Sequence, residues 1–339
     1  MAGDLANKRA WVITEGHTGV EIQAVALAAA LGLEPRVMRV KAPNLWAWMP
    51  ANVWPAPILF ARLQGAGLKP PWPDVLITCG RRSAALGLAI RAKSRKDGAL
   101  GTFAIHILNP QVEAKGWDVV VTPRHDLDNL RQHRHGGPNV IPTLGSLHSL
   151  DPLCLAREAG KIGDRFAALP RPLVVVLVGG HSQNYQMGAA CMETLGAQLR
   201  RLFDASGGGF AVMTSRRTGE ENIAVLVRTL AGTGAYFWDG QGDNPYRGFL
   251  GLADALVVTC DSVNMITEAA ATGKPVYVAT FEANSDRIEH FNKDMRSAGH
   301  VRIFQGEIDF SWAPQPLLET PRVAAEISAR YAAQRSPGP

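Results

Sequence analysis

A chain of 339 residues with 46% apolar side chains, 34 Gly and 22 Pro is long enough for two packed domains and carries no bias toward disorder. Its four cysteines, Cys79, Cys154, Cys191 and Cys260, contain no CxxC pair, so they read as buried thiols of a reducing compartment and not as a disulfide framework or zinc site. The net charge of +5 is uneven: residues 1–150 hold 17 Lys/Arg against 10 Asp/Glu, residues 151–339 hold 18 against 20, and an anionic partner is therefore expected at the first half.

In chain order, Ala10 to Thr14 is an apolar strand and Val20 to Leu31 an alanine-rich helix stopped by Gly32. Strands at Arg36 to Val40, Val75 to Cys79, Thr102 to Ile107 and Val119 to Val121 follow, with a helix at Ser83 to Ala92 among them. Alternating strands and helices imply a parallel sheet covered on both faces. The pattern loosens around 143 to 172, where a helix near Leu155 to Ala168 leads into Pro170-Arg171-Pro172. The junction is placed there, giving domains 1–150 and 151–339.

The second half restarts with Leu173 to Val178, a continuous apolar run suited to a central parallel strand. Helix Met187 to Phe203, strand Phe210 to Met213, helix Glu220 to Leu230 and strand Ala235 to Trp238 come next. A strand–helix–strand unit over Ala253 to Ala279 follows, and helices at Asp286 to Ala298 and Pro321 to Ala333 close the chain. The fold class is α/β: two Rossmann-like domains facing a cleft, with ligands beyond the carboxyl ends of the strands.

Those strand-end loops hold the candidate chemistry. In the first half, Glu15-Gly16-His17-Thr18-Gly19 offers His17 as a general base at the mouth of a helix, where a positive dipole end keeps imidazole neutral; the other reading is a histidine that only caps the turn. Arg81, Arg82, Asn109, Arg124 and His125 form an acceptor-side polar wall with a basic bias. In the second half, Gly179-Gly180-His181-Ser182 resembles a phosphate cradle, and Ser215-Arg216-Arg217 places two guanidiniums where a diphosphate leaving group needs neutralising. Asn244 and Tyr246 lie in a loop long enough to fold over a base. Asp261 and Ser262 are N-cap types at a helix start that attracts anions, with Asn264 and Met265 in its first turn. Glu268, two turns in, is placed to accept both hydroxyls of a ribose; an ordinary capped helix with a solvated Glu is the alternative. No metal motif, Walker sequence or GxGxxG occurs, so neither metal nor cofactor is expected.

The two-domain arrangement resembles the GT-B glycosyltransferases, and Ser262 through Glu268 with Gly273-Lys274-Pro275 is similar to the donor-binding stretch of the lipid-linked GlcNAc transferases. More closely, TSRRT, PRHD and NPYRGFLGLADALVVTCDSVNMITEAAATGKPVYV resemble the mitochondrial fission family named for elongated plant mitochondria, whose bacterial members are treated as nucleotide-sugar enzymes. The resemblance implies a nucleoside-diphosphate sugar as partner, UDP-linked foremost. The expected activity is metal-independent glycosyl transfer. The alternatives are a nucleotide-sugar 2-epimerase, with Glu15 and Asp126 as acid and base, and a non-catalytic peripheral-membrane adaptor.

Residues 35–73 contain no Asp or Glu, while Arg36, Arg39, Lys41, Arg62 and Lys69 accompany Trp46, Trp48, Trp54 and Trp72. That is an interfacial composition, and the prolines at 43, 50, 55 and 57 forbid one long helix. Shallow contact with an anionic membrane or a lipid-linked acceptor is one expectation; packed structure or an oligomer face is the other. No zinc finger, RNP box or basic recognition helix is present, which sets nucleic acid aside. The absence of a signal pattern and of any run of about eighteen apolar residues points to a cytosolic protein, peripheral on the inner face of the membrane where it meets lipid.

Overall fold

The computed structural model describes residues 5–42, 46, 49–98, 101–127, 137–181, 186–281 and 286–335. Its first elements are β1 (Ala10–Thr14), α1 (Thr18–Ala30), β2 (Pro35–Arg39), α2 (Pro57–Leu63), β3 (Val75–Cys79), α3 (Ala84–Asp97), β4 (Phe103–Ile107), β5 (Val119–Pro123) and β6 (Val140–Thr143). Then come α4 (Pro152–Phe166), β7 (Leu173–Val178), α5 (Ala189–Ser206), β8 (Gly209–Thr214), α6 (Glu220–Thr229), β9 (Tyr236–Phe237) and α7 (Tyr246–Leu252). The series ends with β10 (Ala255–Thr259), α8 (Val263–Ala270), β11 (Val276–Ala279), α9 (Asp286–Ser297), β12 (Arg302–Ile303) and α10 (Glu319–Arg335).

Two compact α/β units result, 1–149 with 319–339 and 150–318. Each contains a six-stranded parallel sheet, ordered β2-β1-β3-β4-β5-β6 in the first and β12-β11-β10-β7-β8-β9 in the second. The tail departs from the sequence expectation, because α10 belongs to the first unit and not the second. Val323, Ala324, Ile327 and Tyr331 supply that unit's core with the apolar face that a tail outside it would leave in water.

The strand period of two assigns the faces of the first sheet. Val12, Ile77 and Ile105 point to α1 and α10, whereas Trp11, Ile13 and Leu76 point to Leu86 and Ile90 of α3 and to Leu68 and Trp72. Both faces are covered, which explains why β1, β3, β4 and β5 are buried throughout. In the second unit β7 is the fully buried centre, flanked by β10 and β8. Helix α7 lies close on α4 because Gly248 and Gly251 carry no Cβ; one built there would stand 2.5 Å from Ile162 Cδ1 and 2.4 Å from the Leu155 carbonyl oxygen.

Four elements escaped the sequence reading, among them α7, whose first residue Tyr246 was placed in a loop. Strands β6 and β12 are edges of four and two residues, and with Pro142 in one and Arg302 in the other neither presents an uninterrupted apolar run. Helix α2 begins with Pro57 at its first turn, the one helical position where proline costs no hydrogen bond.

Candidate functional site

Chain order places the site of each sheet. From β7 the chain goes to β8 on one side, whereas β10 pairs on the other side of β7. This is a topological switch point, where neighbouring connections diverge and open a crevice at the carboxyl ends. In the first sheet the same divergence falls between β1 and β3.

At the second switch point three loops are tied by one buried carboxylate. Asp261, with its side chain fully buried, accepts from Thr259 Oγ1 at 2.7 Å, from the Gly180 amide at 3.1 Å and from Arg217 Nη2 at 3.1 Å. Arg217 also donates to the carbonyls of Gly180 and His181, at 3.3 and 3.2 Å. The Gly179 amide donates to Thr259 Oγ1 at 2.8 Å. Thr218 Oγ1 closes the knot by accepting from the Ser215 amide at 2.9 Å and donating to the Gly179 carbonyl at 2.5 Å.

These bonds revise several expected roles. Both glycine amides are already satisfied by protein oxygens, so Gly179 and Gly180 are not a phosphate cradle. A Cβ on Gly179 would stand 2.1 Å from the Asp261 carboxylate, and one on Gly180 2.0 Å from the Arg217 carbonyl oxygen. The glycines are needed for loop-on-loop packing. Asp261 is an internal tie and not a cap, and Arg217 is committed to it. Arg216 is exposed with no hydrogen-bond or ion-pair partner among the described residues, which leaves it as the loop's available cation. Ser215 Oγ accepts from the Arg217 amide at 3.2 Å, and His181 Nδ1 from the Met187 amide at 3.3 Å. Ser182 lies outside the described residues.

Ser262 caps α8 as expected, its Oγ accepting from the Met265 amide at 3.3 Å, and Asn264 and Met265 are half-buried in that first turn. Glu268 is half-buried on the same helix and accepts from the Tyr246 hydroxyl at 2.6 Å. Burial pushes the Glu268 carboxyl above its ordinary pKa, while the Tyr246 hydrogen bond and the Arg247 charge pull it down. Asn244 Oδ1 accepts from the Tyr246 amide at 3.0 Å and so starts α7.

In the first unit His17 is exposed at the N-cap of α1, and its side chain makes no capping bond; the carbonyl takes the Val20 and Glu21 amides instead. Glu15 Oε1 accepts from Arg82 Nη1 and from the Ala42 amide, each at 3.4 Å. Arg81 and Arg124 are exposed, whereas His125 and Asp126 are buried at 8% and 4% exposure. Asp126 is thus closed off from a substrate, and the sequence reading of it as an accessible acid or base is withdrawn. Asn109 Oδ1 accepts from the Gln111 amide at 2.8 Å, in a loop where Leu108 and Gln111 hold φ of 75° and 56°. Non-glycine residues in that region are strained, and such strain gathers at functional loops.

The sequence reading missed the threonines that end the strands. Thr14 Oγ1 donates to Glu21 Oε2 and accepts from the Gly16 amide, and Thr259 does the equivalent work in the second sheet. Their signal was present: a hydroxyl as the last residue of an otherwise apolar strand. Among the described residues no three His, Cys, Asp or Glu side chains are grouped to hold a metal ion.

Two parallel-sheet Rossmann-like units give a GT-B-like fold. Solved structures agree: UDP-GlcNAc 2-epimerase from Methanocaldococcus jannaschii in complex with UDP-GlcNAc and UDP matches with a TM-score of 0.55 at 10% identity, over 94% of this chain and 99% of that one. The Neisseria meningitidis enzyme bound to UDP-GlcNAc matches with a TM-score of 0.51 at 13% identity, over 97% and 95%. The family model for mitochondrial fission ELM1 covers residues 18–331. Mitochondrial fission protein ELM1 of Arabidopsis thaliana is 31% identical over 96% of this chain and 92% of its own length. The chain belongs to the mitochondrial fission ELM1 family.

Proposed function

We infer that the second unit binds a nucleoside-diphosphate sugar, UDP-linked, and that the chain transfers the sugar to a hydroxyl acceptor. The observation that carries the reading is Glu268, a carboxylate on the helix that starts at the switch point, with Arg216 exposed on the adjacent β8 loop and without a partner among the described residues. In the transfer the acceptor oxygen attacks the anomeric carbon and gives its proton to a base, for which His17 is the first unit's candidate, and the diphosphate leaves with the electrons of the broken C–O bond, its charge met in the second unit by Arg216. An epimerase needs available carboxylates, and here Glu15 is held by Arg82 while Asp126 is buried, so transfer is the better-supported reaction.

Calorimetry with UDP tests the site: wild type binds it with or without chelator, and Glu268→Ala weakens binding by about 1–3 kcal/mol, the worth of hydrogen bonds to a charged group. Unchanged affinity in a folded variant rejects the assignment. Incubation with UDP-GlcNAc separates the reactions, since transfer releases UDP and epimerisation gives a new UDP-sugar without release. His17→Ala is expected to lower turnover roughly a hundredfold while UDP affinity stays, because its proton moves only in the reaction.

The acceptor side of the reading is a contact between residues 35–73 and an anionic lipid surface. Of the tryptophans, Trp72 is buried against Trp11 at 6.2 Å, and Trp46 packs on Trp54 and Phe60 at 5.7 and 5.0 Å. Trp48 lies outside the described residues. Among the described residues of the segment, the exposed large apolar groups are instead Val37, Val53, Leu59 and Leu63, at 39%, 53%, 57% and 79% exposure. Leu59 and Leu63 share one face of α2 and would do the inserting. No helix described here is long and apolar enough to cross a membrane.

A further inference from the structure

Tyr246 and Glu268 are separated by 22 residues and joined at 2.6 Å, within the range of an O–H donor on an ionised carboxylate. Both are mounted on elements fixed by other contacts. Helix α7 is set by its glycine approach to α4 and by Asn244 at its start. Helix α8 is set by the Ser262 cap and by Thr267 Oγ1, which donates to the Val263 carbonyl at 2.7 Å. The tyrosine therefore has a single place to put its hydroxyl, on Glu268 Oε2. No described residue donates to Oε1. Burial and the neighbouring carboxylate hold the phenol well above its ordinary pKa, so it remains a donor across the working pH range.

We propose that Tyr246 is the positioning residue of the nucleotide site: it holds Glu268 through Oε2 so that Oε1 is presented to the ribose hydroxyls of a nucleoside diphosphate, without itself touching the ligand. The inference rests on the nucleotide reading above and changes Tyr246 from a ligand contact to a support. A ribose diol needs an acceptor that is both oriented and charged. Burial works against the charge, and the Tyr246 hydroxyl and Arg247, both on α7, are the groups that restore it.

The test is Tyr246→Phe, which keeps the ring and removes the donor, titrated with UDP and with 2′-deoxy-UDP across pH. The expected result is about a tenfold loss for UDP, the scale of one hydrogen bond to a charged group, with a much smaller loss for 2′-deoxy-UDP. The pH above which UDP binds tightly moves upward, because the variant carboxyl holds its proton longer. Equal losses for the two nucleotides, or no loss, would overturn the proposal, since a merely structural tyrosine affects both alike. Carbon-detected NMR titration of Glu268 without nucleotide reads the pairing alone. A midpoint that does not rise in Tyr246→Phe also overturns the proposal, even where UDP still binds wild type. Failure of wild type to bind UDP instead rejects the nucleotide reading itself, and this inference with it.

Discussion

Helices α2, PILFARL, and α7, YRGFLGL, are each seven residues long and sit one in each unit, yet the protein treats them in opposite ways. Seven residues cannot hold a helix in water, so each depends on what surrounds it. Around α7 the dependence is met completely. Phe249 and Leu250 are fully buried, Phe249 packs on Phe166 at 4.6 Å, Tyr246 at the first turn bonds Glu268, and Lys274 Nζ donates to the Leu250 and Gly251 carbonyls at the other end. Around α2 only Ala61 is fully buried, while Leu59 and Leu63 face water. The difference separates a helix that is part of a site's frame from one that presents a surface.

The largest expected effect that bears on this contrast is in the core. Phe249→Ala should cost about 3–5 kcal/mol by deleting a buried aromatic ring, whereas Leu63→Ala should stay within about 0.5 kcal/mol, as exposed substitutions do. Urea midpoints of the two variants measure it. Similar losses would mean that α2 is as built-in as α7, and the surface role of Leu63 would be lost.

A smaller effect sharpens the surface role. Leu59→Ser with Leu63→Ser should reduce co-sedimentation with anionic vesicles about tenfold, on the order of 1–2 kcal/mol of shallow apolar burial. Trp54→Ala should reduce it less, because that ring is spent on Trp46. Salt should weaken binding by wild type. Among the cations of the segment, Arg39 contributes least to that attraction, being paired with Glu21 through both Nε at 2.7 Å and Nη2 at 2.5 Å. If removing the tryptophan has the greater effect, the contact lies on the aromatic cluster and not on the α2 face.

The same contrast marks what could be read from the sequence. The inner strands of both sheets were legible because each is a largely apolar run, and the Ser262 cap was legible because its chemistry is local. Asp261 was misread, since its place at a helix start looks like a cap when the Gly180 and Arg217 partners, 81 and 44 residues away, are out of view. Arg216 and Arg217 are chemically identical neighbours that only the fold distinguishes. Helix α10 is amphipathic toward the first unit, but nothing in its own residues states which core it joins. The tryptophans of 35–73 read as a surface because composition does not report that aromatic rings have found one another.

The smallest effect tests the far clasp of α7. Lys274 is mostly buried, and burial lowers its pKa to about 8 from 10.5, with Asp254 opposing the shift and Arg171 adding to it. Below pH 8 both folded and unfolded chains carry the proton, and the folded chain bears the full cost of burying the charge. Between about pH 8 and 10.5 the folded chain has lost a proton that the unfolded chain still holds, so folding stability attributable to this lysine rises with pH through that window. The gain is on the order of 1 kcal/mol or less, because the side chain is only partly shielded from solvent. Lys274→Met removes the titration, and the difference in urea midpoint between wild type and variant should therefore move in favour of wild type from pH 7.5 to pH 10. A neutral lysine still donates to the Leu250 and Gly251 carbonyls, so the clasp itself persists through the change. A difference that is flat with pH would place the ammonium in water, and the clasp at the far end of α7 would be lost, leaving the helix to its core packing and the Tyr246 bond.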